Sequence, residues 1–166
     1  MKKEHARLIA AMVDLYHGDP RRIHHFMKVH NFAATIAALE GVDEQTTFTL
    51  ETAAIVHDIG IHTCEEKYGQ CGGHYQEIEG PAIARELLTK LGGYTESLIE
   101  RVCFLVGHHH TYTGVDGLDY QILLEADFLV NAYEDEVGDS AREAFCHKVF
   151  KTEAGKTLLA NMFREK

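Results

Sequence analysis

Several features of nucleic-acid-binding and membrane proteins are missing from this sequence of 166 residues. Lysine and arginine total 16 against 26 aspartates and glutamates, and they form no block of five or six, so no partnership with a nucleic-acid polymer is expected. No apolar stretch approaches the roughly 18 to 20 residues of a membrane span, so we expect no membrane partner. A small anionic substrate remains compatible with the net charge of −10, because a bound divalent metal ion can dominate the local field.

The sequence is also poor in signals for disulfides and export. Its cysteines form no CxxC pair, and the first residues lack the apolar core and cleavage site of a secretory signal. We therefore expect reduced thiols and a cytoplasmic location. No repeat or linker divides the chain, so residues 1–166 are expected to form a single domain, of unknown oligomeric state.

Apolar residues recur at intervals of three and four, as in Leu8, Met12 and Leu15, and no window alternates like a strand. The pattern predicts an all-α, single-domain bundle of about six to seven helices. The predicted helices span about 2–16, 20–40, 44–58, 77–91, 94–109, 119–133 and 140–163. The longest predicted irregular stretch runs from Ile59 to about Gln76, and loops of that length are often functional lids, so we expect it beside the active site.

Histidine, in contrast, is abundant, with twelve residues and no terminal run. His57 and Asp58 are adjacent at the end of an apolar helical segment, shortly before Gly60. Because neighbouring helical residues point about 100° apart, both can bind one ion only near a helix end. The alternative is that His57 is a surface histidine beside an acidic residue and that the pair binds no metal. A carboxylate emerging from a core helix is costly without a partner, however, and a metal ion would remove that cost.

Two further residues have a similar setting. His25 lies on the edge of the apolar face that includes Phe26 and Val29, and Asp127 lies in the strongly apolar segment from Tyr120 to Val130. A buried acid in such a segment usually has a cation beside it.

Taken in order, His25, the pair His57 and Asp58, and Asp127 resemble the H…HD…D motif of the HD superfamily of metal-dependent phosphohydrolases. The local sequences HFMKVHNFAATIA, AAIVHDIG and LLEADFL carry the resemblance, which covers roughly residues 20–133. It implies an HD-type helical bundle, with 1–19 and 134–166 as flanking helices, in which these four residues bind one divalent ion. Imidazole and carboxylate ligands suit Fe, Mn, Ni, Co or Zn without selecting among them.

A second ion is also possible, because binuclear members of the superfamily add histidines between the HD pair and the last aspartate. Only one or two of the three consecutive histidines 108–110 can face one cavity, and we favour His109 and then His108. The alternative is three solvated residues at a helix C-terminus, where the dipole favours imidazolium. His74 is a third candidate, although Gln76 occupies the position, one turn before Gly80, where those families have a histidine.

Weaker indications concern the substrate. Arg22 near a helix start, and Lys67 and Tyr68 in the predicted lid, could bind an anionic group. Gln76 and Glu77 could contact the substrate or orient ligating histidines. His5, His17 and His147 are expected at the surface.

The resemblance implies hydrolysis of a small phosphate ester, in a nucleotide or a related phosphomonoester or phosphodiester, by metal-activated water. Asp58 could act catalytically by accepting the proton of that water. A di-iron oxygenase is one alternative, since some HD proteins with additional histidines oxidise C–H bonds. A metal-binding regulatory protein without turnover is another.

Overall fold

The computed structural model describes residues 1–164, which form nine α-helices and no β-strand. In chain order the helices are α1 (Lys3–Leu15), α2 (Pro20–Leu39), α3 (Glu44–Val56), α4 (Ile61–Tyr68), α5 (Gly73–Leu91), α6 (Glu96–Val106), α7 (Leu118–Glu134), α8 (Asp139–Val149) and α9 (Glu153–Met162). The all-α prediction is confirmed, and the number of helices is larger than the six to seven expected.

The stretch predicted as a long loop, 59–76, is mostly helical. Helix α4 lies within it and ends at Gly69, whose φ of 67° is left-handed, and α5 begins already at Gly73. The length of this stretch suggested a lid, but its glycines at 69, 72 and 73 have a different role. They mark a short connection between two helices that pack on each other.

The predicted helix 140–163 is two helices. Phe150 is extended at the end of α8, and the Thr152 side chain accepts a hydrogen bond from the Gly155 backbone at 2.9 Å, which caps α9. Buried Glu125 on α7 accepts further hydrogen bonds from the backbone of Lys151 and Thr152. This distant carboxylate stabilises a break that local periodicity does not indicate.

Helix α3 lies at the centre of the bundle, in contact with α1, α2, α6 and α7. Its last turn, from Ala53 to Val56, is completely buried, as expected for a turn whose side chains are all apolar. Helix α7 packs on both α2 and α3, and its segment from Ile122 to Asp127 is buried as well. The C-terminal end of α3 therefore lies deep in the bundle, between α2 and α7.

Two glycines allow α5 to approach the end of α3. A Cβ on Gly60 would lie 2.9 Å from the backbone nitrogen of Gly80, and a Cβ on Gly80 would lie 2.7 Å from Cγ1 of Val106. Larger residues would push α5 away from the turn that follows α3. Over residues 1–164, no helix has both the length and the apolar character needed to cross a bilayer.

Candidate metal centre

The turn between α3 and α4 presents His57 and Asp58. Helix α3 ends at Val56, and the backbone nitrogen of Ile61 donates to the carbonyl of Asp58 at 3.0 Å. The hydroxyl of Tyr16, which follows α1, donates to the same carbonyl at 2.7 Å. The turn is thus fixed from two sides, and both side chains extend towards α2 and α7.

Four donor atoms from α2, α7 and this turn meet in one cluster, which we call the HD cluster: Nε2 of His25, Nε2 of His57, Oδ2 of Asp58 and Oδ1 of Asp127. His25 Nε2 lies 3.2 Å from His57 Nε2, 3.2 Å from Asp127 Oδ1 and 3.4 Å from Asp58 Oδ2. His57 Nε2 lies 3.5 Å from each of the two carboxylate oxygens. The structure therefore brings together all four residues that the sequence singled out.

Hydrogen bonds set the orientation of the histidine rings. Nδ1 of His25 donates to Oε2 of Glu134 at 2.8 Å, and Nδ1 of His57 donates to the Ala54 carbonyl at 2.8 Å. In each neutral ring the proton is thereby held on Nδ1, and the lone pair of Nε2 points into the cluster.

The charges of the cluster reinforce one another. Burial opposes ionisation of Asp58, but the positive field of His57 and a hydrogen bond from His109 hold its pKa well below the usual range. Burial also opposes ionisation of Asp127, yet hydrogen bonds from His25 and His57 keep the pKa of Asp127 well below normal. The carboxylates of Asp58 and Asp127 thus both stay ionised in the interior, and their negative charges favour the binding of a cation.

Next to the HD cluster lies a second group of donors. The other oxygen of Asp58, Oδ1, is 3.4 Å from Nε2 of His109, and Asp58, His109 and His110 offer donor atoms within 4.8 Å of one another. His109 Nδ1 donates to the Val106 carbonyl at 2.7 Å, so in a neutral ring the lone pair of Nε2 faces Asp58 Oδ1, where an ion would replace the hydrogen bond between them. The Gln76 side-chain oxygen lies 3.3 Å and 3.4 Å from Nε2 of His109 and His110.

Of the histidines proposed for a second ion, only His109 belongs to this group. His108 points away, donates through Nδ1 to the Phe104 carbonyl and stacks on the Phe104 ring. His74 is exposed. His110, and not His108, is the second histidine of this group. The His110 ring packs over Gly73, where a Cβ would lie only 2.6 Å from the ring.

An open cavity of about 580 Å³ lies over these groups. Its polar wall includes Arg21, Arg22, Gln76, Asn131, Glu134 and Asp135, and its aromatic wall includes Tyr112, Phe128 and Phe145. The Phe128 and Phe145 rings stack with centroids 3.7 Å apart. The cavity therefore combines charged and polar side chains with aromatic ones.

The residues proposed for substrate binding separate into two sets. Arg22 and Gln76 line the cavity, where the Arg22 guanidinium is paired with Asp19 and Glu65. Glu77 accepts hydrogen bonds from the His110 backbone and the Thr111 hydroxyl, both at 2.9 Å, so it braces the chain that carries the histidines.

Lys67 and Tyr68 do not line the cavity. Both pair with Glu79, Lys67 at 2.6 Å and Tyr68 at 2.8 Å, on a partly exposed surface between α4 and α5. Their assignment rested on a mobile lid, and the segment is instead a helix whose last turn faces α5.

Sequence reasoning did not identify several residues that support the site. Asn131 donates to Asp127 Oδ1 at 2.9 Å, and Glu134 orients His25. Asp127, Asn131 and Glu134 are spaced i, i+4 and i+7, so they share one face of the apolar helix α7, a signal that the sequence did contain. Tyr16, whose hydroxyl donates to the Asp58 carbonyl, also supports the site, but no sequence pattern indicated it.

Comparisons with known proteins agree with this geometry. The sequence matches the family model "HD domain" over residues 22–142. Its structure is similar to the crystal structure of a predicted HD superfamily hydrolase from an uncultured Thermotogales bacterium, with a TM-score of 0.66 and 25% identity, covering 94% of this chain and 83% of the other. No curated protein sequence matches.

Proposed function

The chain belongs to the HD domain family, and we propose that it is a metal-dependent phosphohydrolase acting on a small phosphate ester of the nucleotide type. The observation that carries this proposal is the convergence of four donor atoms: the Nε2 atoms of His25 and His57 lie 3.2 Å apart, and each lies 3.2 to 3.5 Å from one oxygen of Asp58 and one oxygen of Asp127. Ligands about 2.1 Å from a common ion lie roughly 3.0 to 3.5 Å apart in octahedral or tetrahedral geometry. The cluster has the dimensions of a ligand sphere.

The chemistry of the donors also fits a metal ion. With neutral rings, the Nε2 lone pairs of His25 and His57 face each other beside two carboxylates, an arrangement that needs a cation. Burial disfavours a charged His25, but hydrogen bonding to Asp127 and the charges of both aspartates raise the pKa of His25 to about 9. In the metal-free chain, the proton on His25 therefore supplies part of the positive charge that a metal ion would supply.

A divalent ion bound by His25, His57, Asp58 and Asp127 supplies Lewis acidity, which lowers the pKa of water and stabilises negative charge on phosphoryl oxygens. Asp58 borders the cavity beside the other ligands and is the proposed acceptor of a proton from a water whose pKa the ion lowers. Arg21 and Arg22 lie on the cavity wall and attract an anionic group. The aromatic wall provides a face on which a nucleobase can stack, which supports a nucleotide.

We further propose that the protein can hold a second ion, for which Asp58, His109 and His110 would supply the ligands. Oδ2 of Asp58 faces the HD cluster while its Oδ1 faces His109. Burial and the charge of neighbouring His109 lower the pKa of His110 to about 4, so this ring is neutral at pH 7 and available as a ligand.

The function is tested with the variants His57→Ala and Asp58→Ala, with His147→Ala, an exposed histidine on α8, as the matched control. Metal content is measured by elemental analysis, and phosphate release is measured on nucleotides and p-nitrophenyl phosphate with each candidate metal. We expect both site variants to lose at least about 100-fold in activity, together with bound metal, and the control to be unchanged. Site variants that are folded by circular dichroism and keep metal and activity would disprove the proposal.

The second donor group also supports a di-iron oxygenase as the second candidate, since His109 and His110 supply the additional histidines that such a centre requires. Protein purified without air distinguishes the two functions. A mixed-valent di-iron signal with oxygen consumption would establish the oxygenase. Phosphate release with Mn, Ni, Co or Zn and no oxygen consumption would exclude it.

A further inference from the structure

A second histidine cluster lies where α1, α2 and α3 meet, and it consists of His5, His30 and Glu51. His30 follows His25 by five residues on α2, and Glu51 precedes His57 by six. These intervals correspond to about 7.5 Å and 9 Å along the helices. The cluster is therefore separate from the HD cluster and from the cavity above it.

His5 is completely buried, contrary to the surface position expected from the sequence, and His30 is 6% exposed. His30 Nε2 lies 2.9 Å from Oε1 of Glu51, and His5 Nδ1 lies 3.7 Å from the same oxygen. One donor atom of each residue lies within 4.8 Å of the other two. Three helices thus contribute one potential ligand each.

The hydrogen bonds of Thr52 determine which nitrogen of His5 carries the proton. The Thr52 hydroxyl donates its hydrogen to the Phe48 carbonyl at 2.7 Å, so towards His5 Nε2, at 3.1 Å, it can only accept. His5 Nε2 must donate this bond, and a neutral His5 then has a bare lone pair on Nδ1. That lone pair is directed towards the Glu51 carboxylate, which is also an acceptor.

This contact leaves His5 Nδ1 unsatisfied. Within residues 1–164, it is the one buried side-chain nitrogen or oxygen atom without a hydrogen-bond partner. Such atoms are rare in native proteins, and each calls for a physical explanation. A water, a proton on Nδ1 or a cation would each satisfy both acceptors, but of these only a cation would also use His30 as a ligand.

A proton on Nδ1 is disfavoured. Burial lowers the pKa of His5 despite the opposing charge of Glu51, so the ring is neutral at pH 7. The hydrogen bond from His30 keeps the pKa of Glu51 below its ordinary value, so this carboxylate is ionised. The cluster then offers a neutral imidazole and a negative oxygen to the space between them.

We propose that His5, His30 and Glu51 form a second metal site, which binds a zinc-type divalent cation and ties α1 to α2 and α3. Two imidazoles and one carboxylate are a ligand set that Zn²⁺ accepts in tetrahedral coordination. Stacking on Phe48, with ring centroids 4.5 Å apart, and the bond to Thr52 hold His5 in the required orientation. The Glu51 side chain is 16% exposed, which leaves an approach for the ion and a fourth ligand. Because two ligands are almost closed off from solvent, the site is structural.

The first test counts zinc ions. Metal-free protein is titrated with ZnCl₂, and zinc is measured by elemental analysis after gel filtration, for the wild type and for Glu51→Gln. The matched control is Glu44→Gln, an exposed glutamate at the start of the same helix. We expect Glu51→Gln to bind one zinc fewer per chain than the wild type and the control to bind the same number. Equal zinc content in the wild type and Glu51→Gln would overturn the proposal.

The second test removes the contribution of the HD cluster. In the variant His57→Ala with Asp58→Ala, we expect zinc to raise the melting temperature by at least about 3 °C, and Glu51→Gln to abolish this rise. A purely structural His30–Glu51 pair would instead make Glu51→Gln less stable by the same amount with and without zinc, and that result would also overturn the proposal. If the background variant does not fold, zinc content in the wild-type background decides alone.

Discussion

The Nε2 atoms of His25 and His57 lie 3.2 Å apart, although neither imidazole needs the other as a hydrogen-bond partner. Nδ1 of His25 is bound to Glu134, and Nδ1 of His57 to the Ala54 carbonyl. In neutral rings two facing lone pairs would repel each other, so this approach, which the packing of α2 against α3 imposes, requires a cation, and in the metal-free chain that cation is the proton on His25. The site is built for an ion before the ion binds.

Replacing the carboxylate behind His25 should weaken metal binding. Glu134→Gln keeps an oxygen near Nδ1 but removes the negative charge that makes the ring a better ligand. We expect a 10- to 100-fold loss of metal affinity, which is the usual range for partners of ligating histidines. Competition with a chelating dye measures the affinity. Glu143→Gln, at an exposed position on α8, serves as the control, and equal affinities in both variants would contradict the prediction.

The adjacent histidines 108 and 110 provide a direct test of the second ion. His110→Ala should reduce the affinity for the second equivalent of metal at least about tenfold, because His110 faces Asp58 and His109. His108→Ala should leave it unchanged, since that ring stacks on Phe104. The two affinities come from calorimetric titration of metal-free protein. Loss in His108→Ala with retention in His110→Ala would show that the second site is wrongly placed.

The close contact between Gly60 and Gly80 should make Gly60→Ala destabilising. The backbone angles of Gly60, φ −80° and ψ −10°, are accessible to alanine, so the cost is steric. Its Cβ would meet backbone atoms of Gly80, which cannot rotate away. We expect the free energy of unfolding to fall by about 1–3 kcal/mol in urea denaturation of metal-free protein.

Gly138→Ala is the matched control for this substitution, because a Cβ there meets nothing within 4 Å and its φ is −66°. It should leave the stability unchanged or slightly higher. Equal stabilities of the two variants would argue against the steric explanation.

The N-terminus of α2 should show a pH-dependent contribution from Asp19. This carboxylate accepts from the Arg22 backbone at 3.2 Å and from the Arg22 guanidinium, and although burial opposes ionisation, these bonds keep the pKa of Asp19 below its ordinary value. Because the pKa of Asp19 is lower in the folded than in the unfolded chain, its ionisation stabilises the fold. This stabilisation is fully present above the unfolded-state pKa of about 3.9, and it is lost as the pH falls through the folded-state pKa.

Asp19→Ala should therefore reduce the free energy of unfolding by about 1–2 kcal/mol at neutral pH, the usual range for a lost helix cap. The difference from the wild type should shrink as the pH falls below about 4. Urea denaturation at a series of pH values measures the difference in the free energy of unfolding between Asp19→Ala and the wild type. Asp14→Ala, at an exposed position of α1, is the control. A difference that grows on acidification would contradict the assigned sign.

Part of the architecture could be predicted from local sequence because its causes are local. The three- to four-residue spacing of apolar side chains specifies helices, and an apolar segment ending in His57, Asp58 and Gly60 specifies where one helix stops. The four members of the HD cluster were recognisable because each combines a polar group with an apolar helical setting that would otherwise be costly.

The tertiary structure decided which of the remaining residues reach the site. His108, His109 and His110 are equivalent in sequence, and only the rotation of the chain after α6 against Gly73 and Gln76 selects two of them. His25 and Glu134 are 109 positions apart, so no local pattern joins them.

The same reason explains the burial of His5, which the sequence places near the chain terminus. Its environment is supplied by α2 and α3, and its bare nitrogen becomes apparent only beside Thr52 and Glu51. The sequence by itself determined the all-helical character of the chain and which residues have a metal-binding chemistry. The direction of each side chain depends on helix rotation and on contacts between distant segments, and these were decided by the packing of the folded chain.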